Sequence, residues 1–252
     1  MVSSSHMQAY RNFLKDHVRQ QVDFSQTDQS LGIAPPPIEK PVEHGSQRIT
    51  LAAPENWTTI PAFDLLTAIQ RRTSRRKFRH APLSLEELAF LLWTTQGIRS
   101  YRSEGFGFRT VPSAGCRHAL ETYMCVLNVE GLEQGIYRYL PVEHQLLLAF
   151  QVEQLSEKII AAALNQRFTG EAAVTFVWTT IPYRMEWRYD IAAHKVIALD
   201  AGHVCQNLYL ACEAIGAGTC AIAAYNQPLL DHLLQIDGEN EFAIYLAAVG
   251  KV

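Results

Sequence analysis

Arg72-Thr73-Ser74-Arg75-Arg76-Lys77-Phe78 places several cations and two hydroxyls on a short segment that runs toward Pro82. Guanidinium groups offer a phosphate planar, bidentate, charge-assisted hydrogen bonds, and Ser74 or Thr73 adds a neutral one. The stretch therefore reads as an anion clamp, with a solvated basic face as the alternative. Upstream, Phe63, Leu66 and Ile69 share one face of a helix expected near Ala62 to Arg71, which delivers the basic segment at its C-terminal end. Downstream, Ser84-Leu85-Glu86-Glu87 is a capping box that opens a second helix through Leu88, Leu91, Leu92 and Trp93 to Gly97.

Further along, Thr122 to Val129, Gly135 to Leu140 and Gln145 to Phe150 read as strands of a meander, the first turn at Gly131. Glu153 to Gln166 is helical in pattern, and Ala172 to Ile181, rich in Val, Thr, Phe and Trp, is a buried strand. A long helix is expected from Ala193 to Ile215, since Val196, Leu199, Val204, Leu208 and Ala211 recur with little charge, as in a helix buried in a subunit or an interface. Gly216 and Gly218 end it. A short strand Thr219 to Ala224, a helix Gln227 to Leu234 and a closing strand Phe242 to Val249 complete the chain. Helices and strands mix without regular alternation, which indicates an α+β fold over a doubly wound one.

Two further segments join the basic one: Pro112-Ser113-Ala114-Gly115-Cys116-Arg117-His118, and Asp200-Ala201-Gly202-His203-Val204-Cys205-Gln206-Asn207-Leu208. With these three in order, residues 62 to 252 resemble the nitroreductase family of flavin mononucleotide (FMN) oxidoreductases, whose first motif, Arg-x-Ser-x-Arg/Lys-x-Phe, is filled by Arg72, Ser74, Arg76 and Phe78. The likeness is greatest to the branch that includes azoline dehydrogenases of peptide-modification pathways. The resemblance implies a central, mostly antiparallel sheet flanked by helices, with the long buried helix near a homodimer interface. It also implies FMN as cofactor, NAD(P)H as electron donor and a small-molecule acceptor. Arg72, Thr73, Ser74 and Arg76 are then expected on the phosphate and ribityl chain, with Lys251 as a further cation. Pro112, Ser113, Ala114 and Gly115 are expected beside the flavin ring, and backbone at Ala223 and Ala224 beneath it; relatives often carry Gly at the position of Ala224 and some an acidic residue at that of Ala223. Azoline dehydrogenases use a Lys-Tyr pair where this chain has Arg188-Tyr189. An arginine stays protonated, so Arg188 stabilises an anion but is a poor proton acceptor, while Tyr189 remains able to act as an acid.

Ser113 with His118 or His203 and Asp200 does not make a nucleophilic triad, because the Gly-x-Ser-x-Gly elbow and an oxyanion signature are both missing. Gly216-Ala217-Gly218-Thr219-Cys220-Ala221 imitates a dinucleotide fingerprint but follows a helix, so it reads as a helix-ending turn. His203 is expected as a hydrogen-bonded core residue, and Gln206 and Asn207 cannot both face one way.

Composition bounds these readings. With 252 residues, 48% hydrophobic, the chain suffices for a large core, and a net charge of -3 argues against nucleic acid or an anionic membrane as partner. Apolar runs fall short of a membrane span and no signal-peptide core opens the chain, so a cytoplasmic location is expected. Five cysteines without Cys-x-x-Cys spacing read as thiols: Cys125, Cys205, Cys212 and Cys220 buried, and Cys116 apart in its loop. Residues 1–60 are expected to form an N-terminal helix, with Tyr10, Phe13, Leu14 and Val18 on one stripe, and a Pro-rich extended arm packed on the FMN-binding domain of residues 61–252 or on a partner subunit. Met1 to Met7 resembles an expression scar.

Overall fold

A computed structural model describes residues 4–43, 45–103 and 105–252; of the Met1 to Met7 string, Met1 to Ser3 lie outside the described residues. The elements in chain order are α1 (Ser4–Phe13), β1 (Arg48–Thr50), α2 (Leu65–Arg71), α3 (Leu85–Gln96), β2 (Ile98–Ser103), β3 (Phe106–Arg109), β4 (Leu120–Val126), β5 (Gly135–Leu140), β6 (Gln145–Phe150), α4 (Leu155–Ala162), α5 (Phe168–Glu171), β7 (Val174–Thr180), α6 (Tyr183–Tyr189), α7 (Ala193–Ala214), β8 (Ala217–Ile222), α8 (Gln227–Leu234) and β9 (Phe242–Lys251). Seven strands form one antiparallel sheet in the order β1-β6-β5-β4-β7-β9-β8, and β2-β3 is a separate hairpin. This is the α+β architecture the resemblance implied.

Period-two alternation divides the sheet between two cores. Val174, Phe176 and Trp178 of β7, Met124 and Val126 of β4, and Ala247 and Val249 of β9 pack against α3 and α7. Their neighbours Val177, Cys125, Leu246 and Ala248 point to the other face, against α4 and α8. Each fully buried large aliphatic side chain contributes about 1.5–3 kcal/mol, so both faces stabilise the sheet. The 22-residue α7 lies across the first face, with Ile197, Ala201, Val204, Leu208 and Ala211 buried. Its opposite side, including Leu199, Gly202, His203 and Gln206, is exposed.

Several boundaries differ from expectation for local reasons. α2 starts at Leu65 because the Asp64 carboxylate accepts the Thr67 N–H and caps it. α3 carries the reciprocal Ser84–Glu87 capping box as read. α1 ends at Phe13, so Val18 falls in a separate 3-10 turn, and Tyr10, Phe13 and Leu14 are exposed. His203 is not a core residue: its side chain is 52% exposed.

The N-terminal arm is laid on the domain by specific bonds. Trp187 Nε1 donates to Ile33 O (2.9 Å), Gln29 N–H to Trp187 O (3.0 Å), and Tyr183 to Asp28 Oδ2 (2.7 Å), so the arm holds α6. Further on, Ile38 is buried and accepts from Arg109 Nη2 (2.6 Å), while Lys40 N–H donates to the buried Glu121 (2.8 Å), which also pairs with Arg184 Nη2 (2.6 Å). The segment then adds β1 to the sheet edge beside β6.

Candidate functional site

The Arg72 N–H closes α2 on Ala68 O, and the chain then leaves in an extended form. Ser74 makes a parallel bridge to Thr219 of β8, and Arg75 N–H donates to Thr219 O (2.9 Å). The segment turns back along the sheet edge until Arg79 N–H meets Lys251 O (2.8 Å). One phenol organises this corner: Tyr209 Oη of α7 accepts the Ala221 N–H (2.9 Å) and lies 2.9 Å from the Ser74 hydroxyl. The Arg72 guanidinium sits over the Tyr209 ring at 5.3 Å, and that of Arg76 over Phe168 at 5.9 Å. Residues Thr73 to Arg79 line a surface depression of about 460 Å³ with Val252.

Among the described residues, no salt-bridge partner restrains these charges: none of Arg71, Arg72, Arg75, Arg76, Lys77 and Arg79 has a carboxylate within 4.0 Å. Lys251 differs from expectation. Its ammonium is engaged by the Glu87 carboxylate and by Ile215 O (2.8 Å), on the α3 and α7 side of the sheet. What it lends the basic segment is its backbone carbonyl. Ala223 and Ala224 follow β8 and are exposed, with Ala224 O accepting from Gln166 Nε2 (3.0 Å).

The Pro112 to Gly115 turn lies at the other end of α7. Ser113 Oγ accepts the His118 N–H (3.0 Å), and Ser113 and the Asp200 carboxylate line one small cavity, where Asp200 Oδ2 is buried without a hydrogen-bond partner among the described residues. Burial raises the Asp200 carboxyl above its ordinary value, against the neighbouring Ser113 hydroxyl, His203 and Ala114 N–H. Burial, with Arg109 and Arg117, holds His118 far below the usual imidazole range, so it is neutral near pH 7. It is the backbone of His118, not its ring, that meets Ser113, and His203 Nδ1 is 4.0 Å from Asp200 Oδ1, an arrangement unlike a triad. Gly115 has φ 57° and packs on the α6 pair: a Cβ there would stand 2.7 Å from Tyr189 Oη and 2.8 Å from Arg188 Nε. Sequence separation hid this meeting of Gly115, Arg188 and Tyr189.

Within one chain the two halves are not brought to one cavity. Their anchors, Asp200 and Tyr209, are both on α7, about 13 Å apart along its axis and about half a turn apart around it. Sequence reasoning set Asp200 beside Ser113 only as part of a rejected triad, and it missed Tyr209. Tyr209 carried a signal, a lone phenol between Leu208 and Leu210 in a long apolar helix. Asn207 faces inward and donates to Thr94 O (2.8 Å), whereas Gln206 is exposed.

The antiparallel sheet flanked by helices, with the basic corner and the Pro112 to Gly115 turn both set on α7, is the α+β fold that comparison with known proteins places in a family. The model of the nitroreductase family matches residues 69–251, and the chain belongs to that family. It is 32% identical over 181 residues to "Putative nitroreductase MJ1384" of Methanocaldococcus jannaschii, covering 72% of this chain and 87% of that protein. It is 28% identical over 211 residues to the trifolitoxin-processing protein TfxB of Rhizobium leguminosarum bv. trifolii, where 74% of this chain spans only 56% of the relative. Among solved structures, a "putative nitroreductase" of Ralstonia eutropha superposes with a TM-score of 0.67 at 27% identity, over 87% of this chain and 94% of that one. A chain of the E. coli microcin synthetase McbBCD complex with truncated pro-MccB17 bound shares the fold, with a TM-score of 0.60 at 17% identity over 100% and 98% of the two chains. Among the described residues no helix is long and apolar enough to cross a membrane.

Proposed function

We propose that the chain is an FMN-dependent oxidoreductase that uses NAD(P)H to reduce a small nitroaromatic or quinone-like acceptor, acting as a homodimer. The observation that carries this reading is the cation row of residues 71–79, which lacks carboxylate partners among the described residues and surrounds the exposed Ser74 hydroxyl. The donor set fits a phosphate monoester: Arg72 and Arg76 supply charge, and Ser74 and Thr73 supply hydroxyls. Ala223 and Ala224 present small, exposed backbone for a flat ring to approach. Bound FMN supplies hydride acceptance from the nicotinamide and hydride delivery to the acceptor.

A second copy completes the site in this reading. The Pro112 to Gly115 turn is half a turn around α7 from the basic corner, so it serves the flavin held by the partner. The exposed apolar side chains of Leu65, Leu66 and Ile69 on α2, with Leu199 on α7, give such a dimer a surface to bury. Arg188 then fixes positive charge beside the acceptor and Tyr189 offers a phenol proton. Asp200 holds the turn in place from behind.

The test is the visible absorption spectrum of purified protein after FMN addition and desalting. Retained flavin bands that bleach with NAD(P)H support the assignment. A protein that stays colourless refutes it. The similarity to a trifolitoxin-processing protein favours a second reading, a peptide azoline dehydrogenase passing electrons to oxygen. Oxygen-dependent oxidation of an azoline peptide without NAD(P)H would select that reading. Tight flavin binding with no turnover on either substrate would select a non-catalytic flavin carrier.

A further inference from the structure

The FMN reading leaves most of the basic row unused. A phosphate monoester carries about -1.5 to -2 at pH 7, which Arg72 and Arg76 suffice to balance. Both are seated on aromatic rings, Tyr209 and Phe168. Arg71, Arg75, Lys77 and Arg79 remain, all exposed and without a carboxylate within 4.0 Å among the described residues. Four like charges on a nine-residue stretch repel one another, in a chain whose acidic residues outnumber its basic ones 25 to 22.

The row is also held in place. The Arg75 stem lies on Gly218, where a Cβ would meet its Cγ at 2.4 Å, and the backbone at Arg75 and Arg79 is bonded to Thr219 and Lys251. Three of the four, Arg75, Lys77 and Arg79, line the depression of about 460 Å³. This is a preformed concave surface with surplus positive charge next to the expected flavin phosphate.

We propose that Arg75, Lys77 and Arg79, with Arg71 beside them, form a second anion subsite that binds the phosphates of the nicotinamide donor and selects NADPH over NADH. The inference rests on the flavin reading above. Charge counting favours the 2′-phosphorylated dinucleotide. The pyrophosphate of NADH brings two negative charges, whereas the 2′-phosphate of NADPH adds about -1.5 to -2 more and so matches four cations. Arginine forks suit the planar oxygen pairs of a phosphate, and Lys77 adds a mobile point charge. In both FMN and the dinucleotide a sugar-length spacer separates the reacting ring from phosphate. A donor stacked on the flavin with its chain running the same way carries its phosphates toward this end, and that is the orientation the proposal takes.

The test compares FMN-loaded wild-type protein with a Lys77→Gln/Arg79→Gln double variant, which spares the Arg75 stem on Gly218. Calorimetry with 2′,5′-ADP and 5′-AMP reads the subsite without turnover, and the NADPH-to-NADH ratio of kcat/KM reads it in turnover. The expected result is at least tenfold tighter binding of 2′,5′-ADP than of 5′-AMP to wild type, lost in the variant, with the kcat/KM ratio falling at least tenfold. Equal binding of the two nucleotides, an equal loss for both donors, or inorganic phosphate competing as well as 2′,5′-ADP would each overturn the subsite. The visible spectrum of the same samples separates the failures. Retained FMN without a 2′-phosphate preference rejects this inference alone, and loss of FMN rejects the functional reading together with it.

Discussion

The ring of Phe78 lies on Gly250, so close that a Cβ added to that glycine would stand 2.8 Å from Phe78 Cγ. Gly250 is paired with Gly218 across β8 and β9, and the second glycine is covered by the Arg75 stem. Two bare backbones thus form the floor on which the basic segment rests. Gly250→Ala is expected to destabilise the fold by about 1–3 kcal/mol through overpacking. Phe78→Ala in the same chain should restore part of that, with a coupling of at least about 0.5 kcal/mol in a denaturation cycle. Additive effects would show that Phe78 does not rest there.

At Gly115 both backbone and space are restrictive: φ is 57°, and a Cβ would meet Tyr189 and Arg188. Gly115→Ala should cost about 1–2 kcal/mol for the left-handed conformation alone. By displacing the α6 pair it should also lower kcat/KM for the acceptor roughly tenfold to a hundredfold. Unchanged acceptor kinetics would separate Arg188 and Tyr189 from the chemistry.

Lys251→Met distinguishes the two roles considered for that residue. With its ammonium committed to Glu87 and Ile215 O, the substitution should lower stability by about 1.5–3 kcal/mol. The Kd for FMN should move less than twofold, because only the Lys251 carbonyl touches the basic segment. A tenfold weaker FMN complex at unchanged Tm would return the ammonium to the phosphate site.

Glu39 gives the fold a specific pH response. Burial pushes its carboxyl up to about 7, against the Val142 N–H it accepts; Glu143 and Glu121 raise it further and Arg109 lowers it. The folded chain therefore keeps a proton that the unfolded chain has lost, and stability from this group declines as pH rises from the ordinary carboxylate value toward about 7. Glu39→Gln cannot ionise, so the stability of wild type relative to the variant should fall between pH 5 and 8. Parallel denaturation curves for the two proteins across that range would contradict it.

The parts of the fold legible in the sequence were those whose signals are local. The Ser84–Glu87 capping box, the β4 to β6 meander and the long apolar run of α7 each fix their own structure within a few residues. The β2-β3 hairpin was not legible, since its exposed Ser, Arg and Tyr residues give no clean alternation. Nor was α6, where Arg184, Met185 and Trp187 are all buried and no single polar face remains to mark the helix. The candidate site divides in the same way. Arg72, Ser74 and Arg76 declared themselves by clustering in sequence, whereas Tyr209 meets Ser74 across 135 residues and could be placed only by the packing of α7.

The bonds that tie Gln29 and Ile33 to Trp187 join segments more than 150 residues apart. On a ribosome adding about 5–20 residues per second, the arm emerges on the order of ten seconds before α6 exists to receive it. Throughout that interval its proline-rich stretch must stay extended and unclaimed. The high proline content that keeps it from folding by itself also keeps it available, so α6 is fastened by a segment synthesised well before it.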